Sequence, residues 1–156
     1  MKGDDQVIEL LNEILTSELT AINQYFLDTR MFDNWGYARL AKVFRDNSMD
    51  EMKDAEELID RILFLEGVPN VQRLGSVRVG ETPVEKLRLA LDVELEAIGR
   101  LRDGIGLCST LGDHGSRDLL EKMLTGEEEH ADWFETQLAL VDHIGEANYL
   151  AQHLHE

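Results

Sequence analysis

The sequence predicts an all-α protein: a four-helix bundle with one long connection between the second and third helices and a short fifth helix near its C-terminal end. Three observations predict this fold class. Long stretches rich in Leu, Glu, Ala, Asp and Arg contain only two prolines, Pro69 and Pro83. β-Branched residues never alternate with polar ones for more than a few positions, so strand signals are nearly absent. Apolar residues instead recur at spacings of three and four, as in helices that bury one face in a bundle.

The length and composition indicate one domain that does not bind nucleic acid. A chain of 156 residues can bury a core, and we expect a single domain over residues 1–156. The formal net charge of −17 argues against nucleic acids and anionic membranes as partners. The single cysteine, Cys108, excludes an internal disulfide. Because no apolar segment approaches the length of a signal core or a membrane span, we expect a cytoplasmic protein.

The first two helices are predicted over residues 5–34 and 37–65. Asp4 or Asp5 can cap the first helix, and the Asp-Asn-Trp-Gly segment at 33–36 ends it. Its buried face is predicted to comprise Val7, Leu11, Ile14, Glu18, Ala21 and Tyr25. The buried face of the second comprises Leu40, Phe44, Asn47, Glu51, Asp54, Leu58, Ile62 and Leu65. Gly67 and Pro69 then stop this helix.

The connection that follows, about residues 66–81, is too long for a tight helical hairpin. In a four-helix bundle, one such connection lets the two flanking helices run parallel, and we predict this topology. The third helix, over residues 83–111, has a clear start: Thr82 can cap it, Pro83 occupies the first helical position and Glu85 can complete a capping box. Its buried face comprises Val84, Leu87, Leu91, Glu94, Ile98, Leu101 and Ile105.

The fourth helix is predicted over residues 114–142, after a break marked by Gly112 and Gly115. Its buried face comprises Leu120, Leu124, Glu127, His130, Phe134, Leu138 and Val141. A fifth helix, over about residues 146–153, follows Gly145.

Each of the four long helices carries polar residues where its predicted buried face should be apolar. They lie at the middle of each face: Glu18, Glu51, Asp54, Glu94, Glu127 and His130. Burying a carboxylate costs several kcal/mol, even after relaxation. The predicted faces hold no Lys or Arg at that level, so bound metal is the simplest source of positive charge. One glutamate alone would more often be a surface residue, but four helices with the same interruption predict a metal site.

The spacing of these residues supports the metal hypothesis. Glu18 precedes Glu51 by 33 residues, and Glu94 precedes Glu127 by the same number. Residues three apart share a helix face, so Glu127 and His130 can address one site. Oxygen-rich ligands with imidazole and no thiolate suit iron or manganese, although zinc also binds such sites. Glu51 and Glu127 can bridge two ions, which would place two Fe(II) near one oxygen molecule.

Several segments of the chain resemble the bacterioferritins, and the resemblance extends over essentially the whole sequence. It is carried by Met1–Asp4, Glu18–Leu19, Ala21–Phe26, Trp35–Gly36, Asp50–Lys53, Arg61–Gly67, Ser116–Leu120, Glu127–His130 and Asn148–Leu150. The resemblance implies a ferritin-like bundle with a di-iron centre, matching the ligand pattern that ferritin-like di-metal bundles share. It also implies a hollow shell of 24 subunits, built from dimers, that oxidises Fe(II) with O2 or peroxide. Such a ferroxidase stores the ferric mineral and so detoxifies iron.

The resemblance implies further cofactors and partners. Haem b is expected between paired subunits with Met52 from each as axial ligand, and a small redox partner is expected to release iron. Met52 points about 100° away from Glu51, in a predicted apolar stripe with Met49, Ala55 and Ile59; from the residues alone, this stripe would be an ordinary subunit contact. The resemblance also places Tyr25 beside the di-iron site, where it can supply an electron.

The chain departs from the family at two positions. Asp54 stands where bacterioferritins normally have a histidine, and Asp46 stands where many have a histidine that binds iron on the inner shell wall with Asp50. Five carboxylates would then face the four positive charges of two Fe(II). The alternative is therefore a haem-carrying shell subunit with weak or absent ferroxidase activity, mixed with a second bacterioferritin subunit. A bundle enzyme acting on an organic substrate, or a bundle without chemistry, is a more distant alternative.

Overall fold

The computed structural model describes residues 1–155 and contains five helices in this part of the chain. They are α1 (Asp5–Trp35), α2 (Ala38–Phe64), α3 (Pro83–Thr110), α4 (His114–Ile144) and α5 (Glu146–Ala151). α1 packs mainly on α2, α3 packs mainly on α4, and the two pairs form one bundle with α5 against α4. The predicted all-α class with its short fifth helix is confirmed.

Local sequence signals fix the helix ends. The Asp4 side chain accepts a hydrogen bond from the backbone N–H of Gln6 at 2.7 Å and caps α1. Gly36 ends α1 in the left-handed conformation, with φ of 90°, which glycine adopts without a Cβ penalty. The hydroxyl of Thr82 accepts from the N–H of Glu85 at 3.2 Å, and Pro83 begins α3 as predicted.

The order of the helices makes α2 and α3 parallel. Lys86, near the start of α3, contacts Asp28, near the end of α1. Arg61, near the end of α2, contacts Asp113, which caps the start of α4. Because α1 and α2 form a hairpin, both α2 and α3 start at the same end of the bundle. This is the topology predicted from the long connection.

The long connection, residues 65–82, lies against a row of polar side chains on α1. Asn12 donates to the carbonyl of Val68 at 3.1 Å and accepts from the N–H of Asn70 at 2.7 Å. About two and three turns further along α1, Thr20 and Gln24 accept from the N–H groups of Gly75 and Arg78. These bonds satisfy backbone groups of a segment that has no regular structure of its own.

The apolar core consists of two separate clusters. One contains the four buried aromatic residues Tyr25, Phe32, Phe44 and Phe134 together with Tyr149 of α5. The other contains aliphatic residues nearer the start of α1 and the end of α2, among them Val7, Leu11, Leu58 and Ile62. The glutamates at mid-height of the helices lie between these two clusters in sequence on every long helix. The bundle therefore encloses a polar layer between two apolar ones.

Candidate metal centre

Four glutamates form the polar layer at the centre of the bundle. Glu18, Glu51, Glu94 and Glu127 come one from each long helix, and no side chain among them is more than 2% exposed. α1 and α2 place the first two side chains, and α3 and α4 place the other two. Unsupported burial of this many acids is unfavourable. The structure thus brings together all four glutamates that the sequence singled out.

His130 closes the layer on its α2–α4 side. Its Nδ1 lies 3.3 Å from Oε1 of Glu51 and 3.4 Å from Oε1 of Glu94. Its Nε2 lies 3.2 Å from Oδ2 of Asp50, a half-exposed carboxylate on α2. A histidine that presents one nitrogen to a metal commonly donates from the other nitrogen to a carboxylate, which fixes the orientation of the ring. Asp50 is positioned for that role.

The potential ligands fall into two overlapping groups. Within each group, the donor atoms all lie within 4.8 Å of one another. One group comprises Glu51, Glu94, Glu127 and His130. The other comprises Glu18, Glu51, Asp54 and Glu127. Glu51 and Glu127 belong to both groups, so the arrangement offers two neighbouring ligand sets with two shared carboxylates.

The unpaired atoms of this layer fit a bound cation. Within the described chain, both oxygens of Glu51, one oxygen each of Glu18 and Glu94, and Nδ1 of His130 are buried without a hydrogen-bond partner. Buried polar atoms are nearly always paired, so each of these atoms requires an explanation. Oxygen donors with one imidazole and no thiolate are suited to iron or manganese, and these residues would hold such ions.

The same crowding changes the proton affinities of the layer when no metal is bound. Burial and, next, the charge of Glu51 raise the pKa of Glu18 well above its ordinary value. Burial and the charge of Glu18 do the same to the pKa of Glu127. Burial alone would lower the pKa of His130, but the carboxylates of Glu51 and Glu94 raise it to about 11. Protons therefore take the place of cations in the metal-free site.

Tyr25 lies directly beside the polar layer. Its hydroxyl donates to Oε1 of Glu94 at 2.5 Å and lies 3.4 Å from the carbonyl oxygen of Ala90. The ring is fully buried and contacts Phe44 edge to face at 5.7 Å. Burial and the charge of Glu94 raise the pKa of Tyr25 well above its ordinary value, so the phenol keeps its proton.

Asp54 reaches the site from its edge. It is only partly exposed, and one of its oxygens joins the group formed by Glu18, Glu51 and Glu127. Burial and the charge of Glu51 raise the pKa of Asp54 to about 7. Although its side chain is shorter than the histidine expected at this position, the structure brings Asp54 within reach of the other ligands.

Asp46 and Asp50 are not gathered into a comparable cluster. Asp46 is exposed and lies 3.0 Å from Nζ of Lys42, while Asp50 contacts His130. Among residues 1–155, neither aspartate belongs to a group of three or more potential metal ligands. Iron binding at this pair remains a prediction.

Met52 points away from the site, as its position next to Glu51 predicts. Its side chain is 47% exposed, and that of Met49 is 48% exposed. Ala55, which was expected in the same stripe, is instead buried in the aliphatic cluster of the core. The reason is its spacing: Ala55 follows Glu51 by four residues and so shares its inward face. The exposed stripe is therefore narrower than predicted.

Sequence reasoning missed a buried ion pair near the site. Nζ of Lys86 donates to Oδ1 of Asp28 at 2.7 Å, and the two side chains are 0% and 2% exposed. Asp28 follows Tyr25 by three residues on α1, and Lys86 lies two turns before Glu94 on α3. No sequence pattern pointed to this pair, because lysine and aspartate usually lie on the surface.

Comparison with known proteins agrees with the geometry. The ferritin-like domain profile matches residues 8–144. A bacterioferritin of Mycobacterium bovis is 53% identical over 97% of this chain and 96% of its own length. A bacterioferritin of Streptomyces coelicolor is 52% identical over 97% and 90%, and one of Rhodobacter capsulatus is 46% identical over 93% and 90%. No helix in residues 1–155 has the length and apolar character needed to cross a membrane. With matches of this identity across nearly its whole length, the chain belongs to the bacterioferritins, a ferritin-like iron-storage family.

Proposed function

We propose that this chain binds and oxidises Fe(II) at the centre of its bundle and stores the Fe(III) product inside a hollow shell. The observation that carries the proposal is the layer of four buried glutamates with unpaired oxygens, closed by His130. Fe(II) is the substrate. Each of two Fe(II) gives up one electron, and the two electrons with two protons convert O2 to hydrogen peroxide.

The chain's own residues hold, orient and insulate the substrate. Glu51 and Glu127 occur in both ligand groups and can hold two ions close together. Asp50 fixes the ring of His130 through Nε2. When only one Fe(II) is bound, Tyr25 can supply the second of the two electrons that convert O2 to hydrogen peroxide, while Glu94, 2.5 Å from the hydroxyl, accepts the phenolic proton. The apolar clusters above and below exclude water from the layer.

Rapid mixing of Fe(II) with metal-free protein in air tests the proposal. We expect a fast absorbance phase that saturates at two Fe(II) per subunit, one for each ligand group. Glu127→Ala removes a shared ligand and should slow this phase by at least about tenfold. Glu128→Ala, at the neighbouring exposed position, is the matched control and should keep the wild-type rate. Lack of a fast phase, or one that Glu127→Ala leaves unchanged, contradicts ferroxidase activity and favours the haem-carrying alternative.

We further propose that subunits pair through the outer face of α2 and hold haem b between them with Met52 as axial ligand. Supporting this, Met52 is an exposed thioether on α2, about 100° around the helix from Glu51. We expect Met52→Leu to lose the haem absorbance bands while keeping fast Fe(II) oxidation. Met49→Leu, equally exposed and one turn away, should keep the bands. Haem bands that survive Met52→Leu at full intensity would contradict the assignment.

The larger assembly is part of the same proposal. We propose a shell of 24 subunits built from dimers, loaded with iron and emptied through a small redox partner. Membership in the bacterioferritin family supports it. A shell mixed with a second bacterioferritin subunit is the alternative that Asp54 motivates. A cytoplasmic location remains a prediction from the sequence.

A further inference from the structure

The two ligand groups at the bundle centre differ in chemistry. They share Glu51 and Glu127, so the difference lies in their remaining members. One group adds Glu94 and His130, and therefore includes an imidazole nitrogen. The other adds Glu18 and Asp54, and consists of carboxylate oxygens alone. We call the first the imidazole position and the second the carboxylate position.

This asymmetry originates in a single residue of an otherwise repeated plan. Glu51 and Asp54 on α2 are spaced as Glu127 and His130 are on α4. Both pairs direct their side chains into the same layer, since residues three apart share a helix face. The bundle thus has equivalent positions for a second ligand on α2 and α4, but they hold a carboxylate and an imidazole respectively.

The carboxylate position has the features of a cation site beyond its acidic composition. Glu18 and Glu51 are 2% and 1% exposed. One oxygen of Glu18 and both oxygens of Glu51 are without a hydrogen-bond partner in the described chain. A cleft of about 240 Å³ between α2 and α4, lined by Asp54, Glu127 and His130 among others, reaches this edge of the layer from the surface.

We propose that Mn(II) competes with Zn(II) more successfully at the carboxylate position than at the imidazole position. Carboxylate oxygens suit manganese, while imidazole suits zinc and iron. When both ions are supplied, Zn(II) therefore occupies the imidazole position and Mn(II) the carboxylate position. The chain forms a mixed metal pair. This inference rests on the proposed two-ion site and specifies the class of cation that each half takes.

The test supplies metal-free shells with one equivalent each of Zn(II) and Mn(II) per subunit. Anomalous diffraction at the two absorption edges locates each ion. We expect the manganese signal between Glu18 and Asp54 and the zinc signal beside His130. In solution, Mn(II) next to diamagnetic Zn(II) should give the electron paramagnetic resonance spectrum of an isolated Mn(II) ion, without the magnetic coupling of a manganese pair.

Two substitutions at one residue separate donor type from charge. Asp54→His gives both positions an imidazole. It should raise the Zn(II)-to-Mn(II) ratio at the former carboxylate position by at least about tenfold, since even outer-shell changes alter metal affinity by about 10–100-fold. Asp54→Asn keeps an oxygen donor without the charge and should retain manganese preference at lower affinity. Equal mixing of both ions at both positions of the wild-type protein overturns the inference alone. Absence of both ions from the bundle centre overturns the proposed function as well.

Discussion

Replacing Lys86 with methionine should destabilise the folded chain by about 3–5 kcal/mol, because it leaves a buried charge without its partner. Lys86 and Asp28 form an ion pair of 2.7 Å with almost no solvent exposure. The second oxygen of Asp28 has no hydrogen-bond partner within residues 1–155, so no other contact replaces the ammonium. Methionine keeps most of the apolar stem but removes the ammonium, whose Nζ also lies 5.6 Å from the centroid of the Trp35 ring. The measured loss therefore reports the charge.

This destabilisation should depend on pH. Burial raises the pKa of Asp28 to about 6, although Lys86 opposes the rise. Without Lys86 the folded-state pKa is higher still, so the variant loses stability as pH rises from the unfolded-state pKa through that value. At acid pH, Asp28 is protonated in both proteins and the difference narrows. Denaturant unfolding near pH 5 and near pH 8 should show a small gap and a large gap respectively.

Two further variants provide the controls. The double variant Asp28→Leu with Lys86→Met replaces both charges by apolar groups and should recover most of the stability, since such replacements are often neutral or stabilising. Arg102→Met breaks the exposed pair with Glu128 and should cost at most about 1 kcal/mol. If Lys86→Met costs no more than Arg102→Met, the buried pair does not contribute as argued.

The same ion pair illustrates what the sequence could not reveal. The buried faces of the helices could be predicted because apolar residues recur at spacings of three and four, and the glutamates interrupt that pattern. Lys86 interrupts nothing: it lies beside Val84 and Leu87 in the first turn of α3, where a lysine is ordinarily solvated. Only the position of Asp28, 58 residues earlier, makes its burial possible. Such a pairing depends on tertiary packing, which periodicity does not encode.

The long connection shows a second limit. Its length predicted that α2 and α3 run parallel, and this is confirmed. Its path could not be predicted, since residues 65–82 have no periodic pattern. A partial signal exists on α1, where Asn12, Thr16, Thr20 and Gln24 follow one another at four-residue spacing. These side chains form one polar row that binds the connection.

The metal ligands could be predicted from the sequence only in part. The polar interruptions of the helix faces identified the four glutamates and His130 as candidates, the 33-residue spacing supported the glutamates, and the structure places all five together. The reach of Asp54 was uncertain from sequence because its side chain is shorter than histidine. Helix packing decides that distance, and it places an oxygen of Asp54 in the second ligand group. The contact between Asp50 and His130 also depends on how α2 and α4 pack.

Saturating the metal-free protein with Zn(II) should raise its free energy of unfolding, and the increase should grow as pH rises. At a free metal concentration 100 times the dissociation constant, one site contributes about 2.7 kcal/mol. The physical reason is that metal relieves the mutual repulsion of buried carboxylates. Denaturant unfolding with and without Zn(II), repeated from about pH 5 to about pH 7.5, measures the effect.

The sign of the pH dependence follows from the direction of the pKa shifts. Folding raises the pKa values of Glu18 and Glu127 and brings that of Asp54 to about 7. Between the ordinary values and these raised ones, the folded metal-free chain binds more protons than the unfolded chain, so its stability falls as pH rises. Metal binding requires these groups, and His130 with its pKa of about 11, to lose their protons. Higher pH therefore weakens the metal-free state and favours the metal-bound state together.

A variant without two of these acids should lose most of the stabilisation by Zn(II) and most of its dependence on pH. Glu18→Gln with Glu127→Gln keeps the side-chain shapes but removes two buried carboxyl groups, one of them from both ligand groups. Its metal-free form should be at least as stable as the wild type near pH 7.5, because less repulsion remains, and Zn(II) should add little. Wild-type stabilisation that stays constant with pH, or persists in this variant, would mean that the ions bind elsewhere. The acids of the layer would then need another source of compensation, since protons alone cannot neutralise them above their raised pKa values.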